Sequence, residues 1–148
     1  MSSALKLSEG CSLAIHAATL MAGEPERSFT THEMAETLGA SENHLAKIMQ
    51  RLGKAELVTS TRGPSGGFRL GRGTADISLM QIYEVIEGPF TPEVCLLRKP
   101  VCQGHKCVLG GLIARINHEI QDYLSHTTLA DLSDVCHPNP TLAEKDNE

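Results

Sequence analysis

Tryptophan is absent from this 148-residue chain, which carries only two tyrosines and three phenylalanines. A chain of this length can bury a sizeable core, in one domain or in a small domain with an extension. That core must therefore be aliphatic, built from Leu, Ile, Val, Met and Ala. Long apolar runs are missing as well. No stretch approaches the roughly 20 apolar residues of a membrane span, and no basic segment at the N-terminus leads into a sustained apolar one. The expectation is a cytoplasmic protein with no membrane partner. In that reducing compartment, five cysteines point to metal or redox chemistry more than to structural disulfides. Tight Cys-x-x-Cys pairs are lacking, which weakens structural zinc. No catalytic dyad is visible, and the glycine-rich turn at 63–67 lacks the Lys-Ser/Thr continuation of a phosphate-binding loop. The chain is not expected to be an enzyme. Internal repeats and low-complexity tracts are absent too.

What is present is concentrated between residues 41 and 70. Read as a helix, Leu45, Ile48, Met49 and Leu52 form one apolar stripe at i, i+3, i+4, i+7, while Asn43, His44, Lys47, Gln50 and Arg51 form a polar, mostly cationic face. An extended run from Glu56 to Thr61 follows, then Arg62-Gly63-Pro64-Ser65-Gly66-Gly67 and Phe68-Arg69-Leu70. Two extended runs joined by a Gly/Pro turn make a β-hairpin. A recognition helix followed by such a hairpin is a winged helix-turn-helix, in which the helix enters a DNA major groove and the wing touches the flanking backbone. Charge agrees. The net charge is −5, yet residues 41–72 hold six basic side chains against two acidic ones, a local +4 that leaves −9 for the remainder. A basic face on an acidic body suits phosphate contact.

In chain order, residues 8–22 read as helix one, with Cys11, Ala14, Ile15, Ala18 and Met21 on its apolar face. Thr30 opens helix two with a capping box to Glu33 and a Phe29/Met34 staple, and Gly39 ends it. Ser41 caps the recognition helix two residues later, a tight helix-turn-helix. Ser78 and Gln81 form a second capping box, with Ile77/Ile82 as staple, and that helix stops at Gly88-Pro89. Residues 92–106 show no periodicity. A long helix is expected from Val108 to about Ser125, carrying Leu109, Leu112, Ile113, Ile116, Ile120, Tyr123 and Leu124. So strong a stripe needs a partner surface, either a second copy of the chain or its own domain. Residues 128–132 read as one further helical turn.

Cys95, Cys102 and Cys107 fall within thirteen residues of irregular chain, close to Arg98, Lys99 and Lys106. Thiolates are soft ligands for iron–sulfur clusters, zinc or copper(I), and nearby cations favour the thiolate. Three cysteines leave a four-ligand site one short. The alternative is a set of free thiols. Cys11 reads best as a small buried hydrophobe, and Cys136 as incidental.

With these residues in view, the chain resembles the Rrf-two family of bacterial winged-helix transcription regulators over about residues 6–132. The likeness rests on Lys6-Leu7-Ser8 leading into an Ala-rich helix, the wing motif from Arg62 to Leu70, Ile77-Ser78-Leu79 through Glu87-Gly88, and three cysteines before a long helix. The resemblance implies a mainly α fold with a small β-hairpin wing: a winged helix-turn-helix domain over 1–90, a cluster-binding loop over 91–107, a dimerisation helix over 108–135 and a flexible tail over 136–148. It implies a homodimer on a palindromic double-stranded DNA operator, with one iron–sulfur cluster, usually two-iron (2Fe–2S), per subunit. The function implied is a transcription regulator, a repressor, switched by redox state, nitric oxide or iron–sulfur status. A cluster-free regulator answering to thiol state or a ligand is the alternative. Carried over by position, Ser41, Asn43, His44 and Lys47 serve the major groove and Arg62 the minor groove. Arg51 joins them from the same cationic face. Asn43 can pair with an adenine edge, Lys47 can reach guanine or phosphate, and Arg62 suits a narrow minor groove.

The chain also departs from the pattern of the family it resembles. Ala46 stands where the family's iron–sulfur assembly regulator has a glutamate, and Gly110 where that protein has its His ligand. Ser12 stands where the nitric-oxide sensor has a ligating aspartate, and the middle cysteine falls one residue late. The Asn43-His44-Leu45 run resembles the nitric-oxide sensor's recognition helix. Candidates for the fourth ligand are Glu9 or Cys11 from helix one of the partner subunit, and His105.

Overall fold

The computed structural model describes residues 5, 7–64, 66–103 and 106–136. Its order is α1 (Glu9–Gly23), α2 (Thr31–Leu38), α3 (Glu42–Lys54), β1 (Val58–Thr61), β2 (Gly67–Leu70), α4 (Leu79–Glu87) and α5 (Leu112–His126), with 3-10 turns at Thr74–Asp76 and Leu129–Leu132. The sequence signals for helix starts hold at atomic detail. Ser8, Thr30, Ser41 and Ser78 each accept a backbone N–H from three residues on. At Ser78 the capping box closes fully, Gln81 accepting the Ser78 N–H in return. At Thr30 it closes by half, because the Glu33 carboxylate pairs with Arg27 instead. An ion pair with a guanidinium outcompetes a bond to one amide.

α1 is the centre of the fold. Beyond the expected Cys11, Ala14, Ala18 and Met21, it buries Ala17, Thr19, Leu20 and Ala22, since α2, α3, α4, β2 and the Leu129–Leu132 turn all pack on it. Small side chains let neighbouring backbones approach from several directions. Ile15, expected in the stripe, is only half-buried. From α3, Leu45, Ile48, Met49 and Leu52 enter the same core, as the spacing predicts.

The hairpin pairs Val58 with Leu70 through Thr61 with Gly67, antiparallel. Its first strand starts at Val58 rather than Glu56, because Glu56 takes a left-handed conformation (φ 61°) that turns the chain out of α3. Phe29 and Phe68 exchange both backbone hydrogen bonds, 2.8 and 2.7 Å, so the segment before α2 is bridged at one residue to the free edge of β2. This weld requires glycine at 67, where a Cβ would lie 2.4 Å from the Phe29 carbonyl oxygen.

The C-terminal helix departs from expectation. Gly110 and Gly111 both take positive φ, and α5 begins only at Leu112. Its second half packs back on the domain through Leu124 and Ile120. Beyond it, Leu129 is fully buried and its N–H donates to the Ile77 carbonyl at 2.9 Å. The core therefore crosses the division expected at residue 108. Leu112 and Tyr123 of α5 stay exposed, as do Val94, Leu96, Val101 and Val108 of the preceding segment. The expected flexible tail, apart from Cys136, lies outside the described residues. Among the described residues, no helix is long and apolar enough to cross a membrane.

Candidate nucleic-acid interface and cysteine loop

The helix-turn-helix is set by two short-range features. Gly39 takes the left-handed conformation that ends α2, and Ser41 immediately caps α3, its hydroxyl accepting the His44 N–H at 3.4 Å. The Ser41 hydroxyl thus has a structural task besides any contact with a base. Asn43 and Lys47 are exposed on successive turns of α3, and Arg62 is exposed on the wing turn. Among the described residues, none of these three side chains makes a hydrogen bond or ion pair. His44 is half-buried against the start of α1, its Nε2 lying 3.9 Å from where a Cβ on Gly10 would stand. That placement withdraws part of the ring from the exposed face.

Arg51 behaves differently from its expected role. Its Nη2 donates to the carbonyls of Val85 and Ile86 at 2.8 and 2.9 Å, in the last turn of α4. A guanidinium there satisfies orphan carbonyls and complements the negative end of the helix. The sequence signal was only its place on a cationic face. Nothing local could announce a partner 34 residues away.

Other charges hold the frame. Arg69 pairs with Glu26 at 3.2 Å. Arg27 pairs with Glu24 and Glu33 and stacks 4.5 Å above the Phe29 ring. His32, on α2, bonds Glu42 at the first residue of α3 through Nδ1 (3.1 Å) and meets Glu36 through Nε2 (3.4 Å). The bond to Glu42, then the charges of Glu36 and Glu42, raise the His32 pKa above its ordinary value.

The cysteine loop follows α4. Phe90 stacks edge-on against Tyr83 at 5.5 Å, and Asn117 of α5 donates to the Glu93 carbonyl at 2.7 Å, tying the loop to both helices just before Cys95. Cys95 Sγ accepts the Leu97 N–H at 3.5 Å, and Cys107 Sγ accepts the Leu109 N–H at 3.4 Å. Backbone amides directed at sulfur are contacts that a metal-bound sulfur also accepts. Cys107 is exposed, and Cys95 and Cys102 are half-exposed. Among the described residues, no three His, Cys, Asp or Glu side chains converge on a possible metal position. The donor chemistry suits a thiophilic group; convergence of the three thiols is not present in the single chain.

For the fourth ligand, Glu9 is exposed at the start of α1. Cys11 is fully buried, and burial, with the Glu87 charge adding, pushes its thiol up to about 11. Both the packing and the proton affinity oppose a ligand role. His105 lies outside the described residues.

Comparison with known proteins places this arrangement. The family model for Rrf2, described as an iron-dependent transcriptional regulator, matches residues 7–135. The IscR transcriptional regulator of Sodalis glossinidius is 31% identical over 100 residues, covering 68% of this chain and 61% of its own. The chain thus spans about three fifths of that relative's length. Among solved structures, CymR (YrzC), the global cysteine regulator of B. subtilis, matches with a TM-score of 0.73 at 28% identity, over 89% of this chain and 98% of its own. T. potens IscR matches with a TM-score of 0.66 at 27% identity, over 86% and 85% of the two chains.

Proposed function

Because the chain belongs to the Rrf2 family of transcriptional regulators, we propose that it is a cytoplasmic homodimeric repressor whose operator binding follows the state of Cys95, Cys102 and Cys107. The observation that carries this reading is the pair of backbone N–H groups on the Cys95 and Cys107 sulfurs. Each copy would present Asn43 and Lys47 to a major groove and Arg62 to the adjoining minor groove of a palindromic operator. The exposed apolar edge of α5 and the loop (Leu112, Val108, Val101) would be covered by a second copy.

The three thiols are the proposed ligands of one 2Fe–2S cluster per subunit, with Glu9 of a second copy as the fourth. When bound, such a cluster supplies iron that responds to oxidants, nitric oxide and iron supply. The chain's own part is mechanical. Glu93, two residues before Cys95, hangs on Asn117 of α5, so a rearranged loop pulls on the helix proposed to join the two copies. Reorienting that joint changes the spacing of two recognition helices that must match successive major grooves.

The dispersed thiols also favour a second reading: a cluster-free switch in which the same cysteines act as thiols. One experiment separates them. Protein purified without oxygen is assayed for iron and sulfide and scanned between about 300 and 600 nm, where iron–sulfur clusters absorb. Bands with matching iron and sulfide, lost in the Cys95→Ala, Cys102→Ala and Cys107→Ala variants, support the cluster. Colourless protein whose operator binding still changes with thiol oxidation supports the second reading. Operator binding unaffected by all three substitutions and by oxidation overturns both.

A further inference from the structure

On α3, Asn43, Lys47, Gln50 and Lys54 recur at i, i+4, i+7 and i+11, which places them along one stripe, and all four are exposed. The stripe does not end with the base-reading residues. Its far end runs into an open groove of about 920 Å3 between the C-terminal half of α3 and the hairpin, lined among others by Gln50, Lys54, Thr59, Ser60 and Arg72. Met49 and Val58, both buried core residues, also border it. Arg72 Nη2 donates to the Ala55 carbonyl at 3.5 Å, which holds its guanidinium over the end of α3. Two cations, the Ser60 hydroxyl and an amide thus share one groove with, among the described residues, a single acid, Glu56. The groove is a surface channel rather than an enclosed cavity, so it suits a strand passing across it.

Helix geometry says which strand. At 1.5 Å per residue, Lys54 lies about 16 Å along the axis from Asn43, whereas a major groove is about 12 Å wide. A helix that enters the groove by its first turn carries its last turn out to the groove wall, where the phosphates are. We infer that this groove seats one sugar–phosphate strand flanking the half-site, with Lys54 and Arg72 neutralising backbone phosphates and Ser60 donating to a phosphate oxygen. The inference rests on the DNA-binding reading and extends it to residues at the opposite end of the hairpin from Arg62.

The test measures fluorescence anisotropy across a salt series, on a duplex selected by the wild-type protein from a randomised pool and on a scrambled duplex. The Lys54→Gln/Arg72→Gln double variant keeps side-chain bulk while removing both charges, and its melting curve controls for folding. Each lost phosphate contact should flatten the slope of log affinity against log salt by about 0.9, so the double variant should lose about 2 in slope. The loss should be the same on selected and scrambled duplexes. Asn43→Ala should do the opposite, weakening only the selected duplex and leaving the slope unchanged. A folded double variant with wild-type slope and affinity would overturn this inference while leaving DNA binding intact. A wild-type chain that selects no duplex would overturn the underlying reading, and this one with it.

Discussion

Replacing Arg51 by alanine separates a structural residue from a DNA contact. One nitrogen of its guanidinium reaches two carbonyls in the last turn of α4, at 2.8 and 2.9 Å. Hydrogen bonds involving a charged group contribute about 1.5–3 kcal/mol when shielded, and a cation at a helix C-terminus about 0.3–1 kcal/mol when exposed. Arg51 is exposed, so water can replace it at both carbonyls, and the expected loss is about 1 kcal/mol, below the range for a shielded charged bond. For a chain of this length that corresponds to a fall in Tm of about 2–4 °C. Urea unfolding followed by circular dichroism should show a lower midpoint with an unchanged slope. Arg51→Lys should recover part of the loss, because the charge remains while the planar fork is gone. Operator affinity, measured by anisotropy well below the unfolding midpoint, should match wild type in both variants. An unchanged midpoint with weakened operator binding and a flatter salt dependence would refute the structural assignment and return Arg51 to the DNA-contacting face.

Leu129→Ala should destabilise the whole DNA-binding unit by about 2–5 kcal/mol, the range for emptying a buried leucine site; a melt in which only the C-terminal segment loosens would refute the shared core. In cysteine labelling of the native protein at pH 8 with a maleimide, Cys95, Cys102 and Cys107 should react while Cys11, fully buried and with its thiol pushed up to about 11, should not. Peptide mass mapping would reveal the contrary. The His32 link between α2 and α3 should be pH-dependent: its folded pKa is raised, so the stabilisation is complete below the ordinary value of 6.5 and is lost as pH rises through the raised value. An NMR titration of the His32 ring, repeated in Glu42→Gln, should show that value moving back toward 6.5; no movement would refute the contact with Glu42.

The features legible in the sequence are those set within a few residues. Ser8, Thr30, Ser41 and Ser78 announce helix starts because an N-cap bond spans three positions, and the α3 stripe is visible because helical period is local. The wing turn was legible for the same reason. What escaped depends on long-range partners. The weld between Phe29 and Phe68, the commitment of Arg51 to α4 and the return of α5 through Leu124 all join residues that no local pattern links. Glu56 was missed for another cause, since an acidic residue in a left-handed conformation contradicts its own preference and is imposed by the packing on either side. Among the proposed site residues, Asn43, Lys47 and Arg62 are exposed where the pattern put them, whereas Lys54 and Arg72 gain meaning only once the hairpin lies beside α3. The cysteine spacing identified a soft-donor loop, but the amides on the two sulfurs are visible only in three dimensions.

The doubled backbone bond between Phe29 and Phe68 limits what any signal could do to this protein. A hairpin tied only by its own turn could swing aside and leave the recognition helix in place. Here the strand that bears the wing is stitched to the segment leading into α2, so reading helix and wing form one rigid head. In a two-fold assembly of such heads, the adjustable quantity is the distance between them. On the proposed dimeric reading, a switched molecule would still know each half of an operator and lose only the ability to touch both together. The distinction would appear as a changed tolerance for spacer length, with the sequence preference at each half intact.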